Sequence, residues 1–118
     1  MAITIDKLHD LIVLAKALSL GKFACREYEA RELAASPYSG DLLLRITKAM
    51  EEYIPNYQAA FGSIEQNPTY LEVLKVHVSH LDNWISLDGP TKTQVVKDLA
   101  SPYMISQSTI DAIVSGSC

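Results

Sequence analysis

Along this chain apolar residues recur at steps of three and four, and strict apolar–polar alternation is hard to find, which is the mark of helices rather than strands. From Ile5 to Leu20 the residues Leu8, Leu11, Ile12, Ala15 and Leu18 trace one face, and Val13, Leu14 and Ala17 widen it. The pattern predicts a first helix buried over much of its circumference and closed by Gly21 as a left-handed cap. A second, highly charged helix is expected from Ala24 to Ala35, with Glu27 and Arg31 four residues apart in the favourable order. Ser36-Pro37-Tyr38-Ser39-Gly40 reads as a break, because a residue before proline avoids the helical region. Asp41 then opens a third helix, its carboxylate complementing the positive dipole end. Leu43, Ile46, Met50, Tyr53 and Ile54 share a face of that helix, which Pro55 kinks or ends.

A short helical piece, Asn56 to Phe61, and a loop, Gly62 to Gln66, lead to the clearest helix of the chain. Asn67-Pro68 supplies its N-cap and first helical residue. Leu71, Leu74, Val78, Leu81 and Ile85 form its face, extended by Tyr70, Val73, His77 and Trp84. Asp88-Gly89-Pro90 stops it. Thr91 and Gln94 have the spacing of a capping box ahead of inward-facing Val95, Val96 and Leu99. After Ser101-Pro102, a last helix from about Ser106 carries Ile110, Ile113 and Val114 towards Gly116.

These segments predict an all-α fold: an irregular antiparallel bundle of five or six helices in a single domain over residues 1–118. With 118 residues, 48% of them hydrophobic, composition excludes disorder and a disulfide-dense scaffold. A chain of this size buries roughly two-thirds of its unfolded surface, enough to fold without metal or disulfide. The longest apolar run, Leu11 to Leu20, spans about 15 Å as helix, half of a bilayer core. The first residues lack the pattern of a secretory leader. A cytoplasmic protein with no membrane contact is therefore expected. Its two thiols, Cys25 and Cys118, match no metal or redox motif and are expected to be reduced.

Candidate chemistry is sparse. His77 and His80 stand one turn apart near Glu72 and Asp82, but no further ligands arrive at metal-site spacing. His77 is expected to border the core and His80 to face solvent or Trp84. No nucleophile elbow or glycine-rich phosphate loop is present, the five glycines being scattered at 21, 40, 62, 89 and 116. No catalytic residue, metal or cofactor is expected.

Leu99 to Ile113 resembles the helix-turn-helix of phage-repressor-like DNA-binding proteins. The matching features are Leu99-Ala100, Ile105 after the turn, Ser106-Gln107-Ser108-Thr109 opening the second helix, and isoleucines at its packing positions. The resemblance implies a transcriptional regulator using residues 95–115, with Gln107 and Ser108 reaching the major groove. Met104, however, stands where the family usually has its turn glycine. Charge opposes the reading as well. From Ala60 onward three basic residues face six acidic ones, and none of the last 21 residues is basic, whereas duplex binding draws most of its non-specific affinity from cations on phosphate.

The formal charge of −4 and the wealth of tyrosine suit a protein that binds another protein with a basic surface. An inhibitor, immunity factor or adaptor, acting as monomer or homodimer, is the expected class. Glu51, Glu52, Tyr53 and Tyr57 are the expected contact, since two acids and two aromatics flank the proline-marked end of the third helix. A small enzyme or ligand carrier with a pocket between helices is the third reading.

Overall fold

In a computed structural model, which describes residues 3–57 and 61–116, six α-helices follow one another. They are α1 (Leu8–Ser19), α2 (Tyr28–Ala35), α3 (Pro37–Met50), α4 (Pro68–Ser79), α5 (Gly89–Ala100) and α6 (Gln107–Ser115). The all-α expectation holds. Among the described residues there is no strand, only a parallel bridge between Ser63 and Met104. There the Ile64 amide donates to the Met104 carbonyl at 2.8 Å and the Met104 amide to Gly62 at 3.0 Å. α1 packs on α3 and α5 on α6, while α2, α3 and α4 each touch α5. Leu11, Phe23, Leu43, Met50, Ile64, Leu74, Leu99 and Ile110 meet in one buried core.

The helix starts show how little local sequence separates a break from a beginning. Ser36 has extended backbone, and its hydroxyl accepts from the Tyr38 amide at 3.1 Å, with Pro37 as first helical residue. At that position the missing proline N–H costs nothing. The Ser-Pro segment therefore opens α3, four residues before Asp41, and does not interrupt the chain. Asp88 does the same for α5, accepting from the Thr91 amide at 2.8 Å ahead of Gly89-Pro90. This cap replaces the expected capping box of Thr91 and Gln94. The other expected caps fall in place: Asn67-Pro68 begins α4, and Ser106 caps α6 before Gly116 ends it at φ 74.

Gly21 does not cap α1. The helix runs on into a wide π-helical turn, Leu20–Ala24, that carries Lys22 and Phe23 into the interior. Gly21 serves packing instead, because a Cβ there would lie 2.8 Å from Leu33 Cδ2. Nor is α1 buried over much of its circumference. Leu11 and Ala15 are buried, but Val13 is 66% exposed and Leu20 58%, since α3 and the π turn cover one side only. α2 is shorter than expected, beginning at Tyr28, and α3 ends at Met50, short of Tyr53 and Ile54. The loop before α4 holds a short 3-10 turn, Ile64–Gln66. Of the short helical piece expected over Asn56 to Phe61, Gln58, Ala59 and Ala60 lie outside the described residues.

The buried Lys22 closes the fold at its centre. Its ammonium donates to the Ala34 carbonyl (2.7 Å), the Asp98 carbonyl (2.7 Å) and Ser39 Oγ (3.1 Å). Both carbonyls belong to last turns that lack the usual N–H partner. Residue 102 is a proline, and the Tyr38 amide is turned to Ser36. One cation thus caps the C-terminal ends of α2 and α5 together.

Near this junction α3 meets the end of α5 almost backbone to backbone. A Cβ on Gly40 would lie 2.7 Å from Ser101 Cβ and 3.1 Å from its carbonyl oxygen. Gly40→Ala is therefore expected to destabilise by about 1–3 kcal/mol through overpacking, read as a lower thermal midpoint. An unchanged midpoint would show that this contact is slack.

Candidate functional site

One cleft forms because α4 stops early. His80 leaves helical geometry, and tight turns through Leu81 and a 3-10 turn, Trp84–Ser86, connect to the Asp88 cap. Side chains of successive 3-10 residues point about 120° apart, so Trp84 and Ile85 cannot both be buried. Trp84 is half-buried against the core, and Ile85, expected on the helix face, is 91% exposed. The cleft measures 620 Å³ and is lined by Val76, Leu81, Trp84, Ile85 and Ile113, with Glu72, Lys75 and Asp82 as its charged members. Lys92 Nζ lies 5.3 Å from the centre of the Trp84 ring, a cation on its face.

Leu81 and Asp82 also line a second depression of 440 Å³, whose other wall is α2 with Tyr28, Glu29, Arg31 and Glu32. Between described residues, ion pairs join Asp41 to Arg45 and Glu72 to Lys75. They leave Glu29, Glu32 and Asp82 without a cation. Arg31 faces inward, its Nε donating to His77 Nδ1 at 3.3 Å while its guanidinium stands 5.5 Å from the Tyr28 ring. The basin is consequently negative.

His77 is fully buried, not at the border of the core. With Nδ1 accepting from Arg31, its Nε2–H donates to the Cys25 carbonyl at 3.0 Å, which fixes the neutral tautomer. Burial first, then the positive charge of Arg31, holds its pKa below the ordinary value, against the pull of the Cys25 hydrogen bond. His80 is exposed, with Nδ1 within 2.9 Å of the Val76 carbonyl and 3.0 Å of Ser79 Oγ. The two imidazoles have separate partners. No group of three or more His, Cys, Asp or Glu among the described residues is placed to hold a metal ion. Cys25 carries a free thiol, and Cys118 lies outside the described residues.

The contact expected from sequence is not gathered into one patch. Glu51 and Glu52 line a shallow depression just past α3, together with Arg45 and Lys48. Arg45 is engaged by Asp41 at 3.1 Å, which leaves Lys48 as the other cation beside the two carboxylates. The Tyr53 hydroxyl donates to the Asp6 carbonyl at 2.8 Å, tying the N-terminal segment to the end of α3. Tyr57 lies elsewhere, in a pocket with Ile12, Ala15 and Tyr103.

α5 and α6 pack together as the helix-turn-helix resemblance implies, but the opening of α6 is acidic. Glu65 Oε1 accepts from the Ser106 amide at 2.8 Å, and Gln107 Nε2 donates to Asp111 Oδ1 at 2.8 Å. A phosphate would meet a carboxylate there. No family model, curated protein or solved structure matches this chain. No helix of the described residues is long and apolar enough to cross a membrane.

Proposed function

We propose that this protein acts in the cytoplasm by binding another protein, as an inhibitor, immunity factor or adaptor does. The contact runs over the apolar cleft and the acidic basin together. One observation supports this reading above the others: Leu81 and Asp82 line both depressions, so the apolar ground of Trp84 and Ile85 passes directly into Glu29, Glu32 and Asp82. The fitting partner presents an apolar side chain flanked by lysine or arginine. Burying an isoleucine removes its apolar surface from water, a gain of about 1.5–3 kcal/mol, and side chains at the centre of an interface carry most of its energy. The carboxylates add rate and selectivity more than affinity. Regulation through DNA fits the site less well, because the carboxylates of Glu65 and Asp111 flank the residues that would meet the groove.

The test is affinity capture of the partner from the native cell by three forms of the protein. Ile85→Asp, at a site 91% exposed, is expected to weaken capture about tenfold or more while leaving the thermal midpoint unchanged. The double variant Glu51→Lys, Glu52→Lys is expected to stay within about threefold of the parent, because that ledge shares no lining residue with the cleft or the basin. The reverse ranking would move the contact to the end of α3.

A further inference from the structure

The aromatic residues of this protein build a further pocket that the proposed protein contact does not use. Phe23 stacks on Tyr70 with ring centres 5.3 Å apart and meets Tyr103 edge-on at 5.1 Å. Phe61 also meets Tyr103 edge-on, at 5.1 Å. The rings hold one another in place, and Tyr57, Tyr70, Tyr103 and Phe61 line a pocket of 180 Å³ whose other wall is α1 and α3. No hydrogen bond to another described residue engages the three phenol hydroxyls. Burial first, then the neighbouring Tyr70 and Tyr57, pushes the Tyr103 hydroxyl above its ordinary pKa, so it stays a donor at neutral pH. Among the residues lining the pocket, Lys16 alone carries a full charge at that pH, and it is positive.

We infer that this pocket binds a small aromatic carboxylate, its single ring against the aromatic walls and its carboxylate on the phenol hydroxyls and the Lys16 ammonium. The size fits. A cavity of about 150 Å³ accepts benzene, so this pocket has room for one ring. The chemistry fits as well, because half-buried phenols donate to an anion without having to ionise, and a nearby cation strengthens those hydrogen bonds. An ammonium-bearing ring would meet Lys16 as a like charge.

The experiment is a titration of the full chain with benzoate and, separately, benzylamine, followed by methyl NMR of Ile12, Ala15 and Leu43. Benzoate is expected to shift these methyls saturably in the low-millimolar range, the affinity that so few atoms supply. Benzylamine is expected to leave them in place. Tyr103→Phe, which keeps the ring and removes the hydroxyl, and Lys16→Gln, at an exposed position, should each weaken benzoate at least threefold with the melting curve preserved. Unsaturable shifts with benzoate, equal binding of benzylamine, or undiminished binding by Lys16→Gln would overturn the assignment. Ile85→Asp should bind benzoate as the parent does, so this result stands or falls apart from the protein contact.

Discussion

Lys22→Met is expected to lower stability at pH 7 by about 2 kcal/mol, and the deficit should grow as the pH is raised. Methionine keeps the apolar stem and removes the ammonium, leaving the carbonyls of Ala34 and Asp98 and the Ser39 hydroxyl without their donor. Each buried acceptor stripped in this way costs about 1–3 kcal/mol. Against that loss stands a relief. Burial pushes the lysine from its ordinary 10.5 down to about 8, although the charge of Asp98 pulls it partly back. Keeping the proton in the fold at pH 7 therefore costs about 3 kcal/mol, which methionine does not bear. Between pH 8 and 10.5 the unfolded chain still holds a proton that the folded chain has released, so this group makes the parent more stable as pH rises. The variant cannot follow. Its deficit is expected to approach about 5 kcal/mol near pH 10. Tyr103, whose raised pKa acts in the opposite direction above pH 10, affects both proteins alike and cancels in the difference. Urea unfolding of the pair at pH 7, 9 and 10 measures the gap, and parallel curves would contradict the role given to the ammonium.

His77→Ala is expected to cost about 3 kcal/mol, because it empties a buried site and strands the Cys25 carbonyl and the Arg31 guanidinium. In a chain of this length that is a fall of roughly 10 °C in the thermal midpoint. The pH dependence provides the sharper reading. The imidazole titrates lower when folded than when unfolded, so the unfolded chain takes up a proton first as acid is added. The stability contributed by His77 is whole above pH 6.5 and is lost as the pH falls through the folded value. Glu65 and Asp88 both titrate below their ordinary carboxyl values. Burial pulls Glu65 upward, but hydrogen bonds led by the Ser106 amide outweigh it; for Asp88, hydrogen bonding with Thr91 lowers it. Their losses begin as the pH falls to the ordinary carboxyl values, which leaves pH 5 to 6.5 to the histidine. The parent should soften across that window while His77→Ala does not. Equal slopes would place the protonation elsewhere.

The helices were legible because a 3-4 spacing of apolar residues survives any arrangement of neighbours. The clefts were not, because they depend on where each helix stops. Leu81 and Ile85 continue the periodicity of α4 in sequence, yet the helix ends at Ser79 and the two residues line the cleft instead. Glycine is ambiguous in the same way. At 116 it is a left-handed cap, and at 21 it makes room for Leu33. Lys22 escaped the sequence reading because its acceptors lie 12, 17 and 76 residues away. One trace of it was there to be read: Pro102 has no amide to offer the Asp98 carbonyl, so a donor had to come from elsewhere. Glu51, Glu52 and Tyr57 are close in sequence, but past the end of α3 the two carboxylates line the ledge while Tyr57 lines the aromatic pocket.

The most direct measurement places a photo-crosslinking side chain at position 85 and, in a separate protein, at position 52, each expressed in the native cell. If the partner sits across the cleft and the basin, irradiation at 85 gives one defined protein adduct, and Glu29→Lys with Glu32→Lys removes it. The adduct from position 52 is then weak or missing. A defined adduct from 52 with none from 85, or an adduct at 85 that is indifferent to the two reversed charges, would contradict the account.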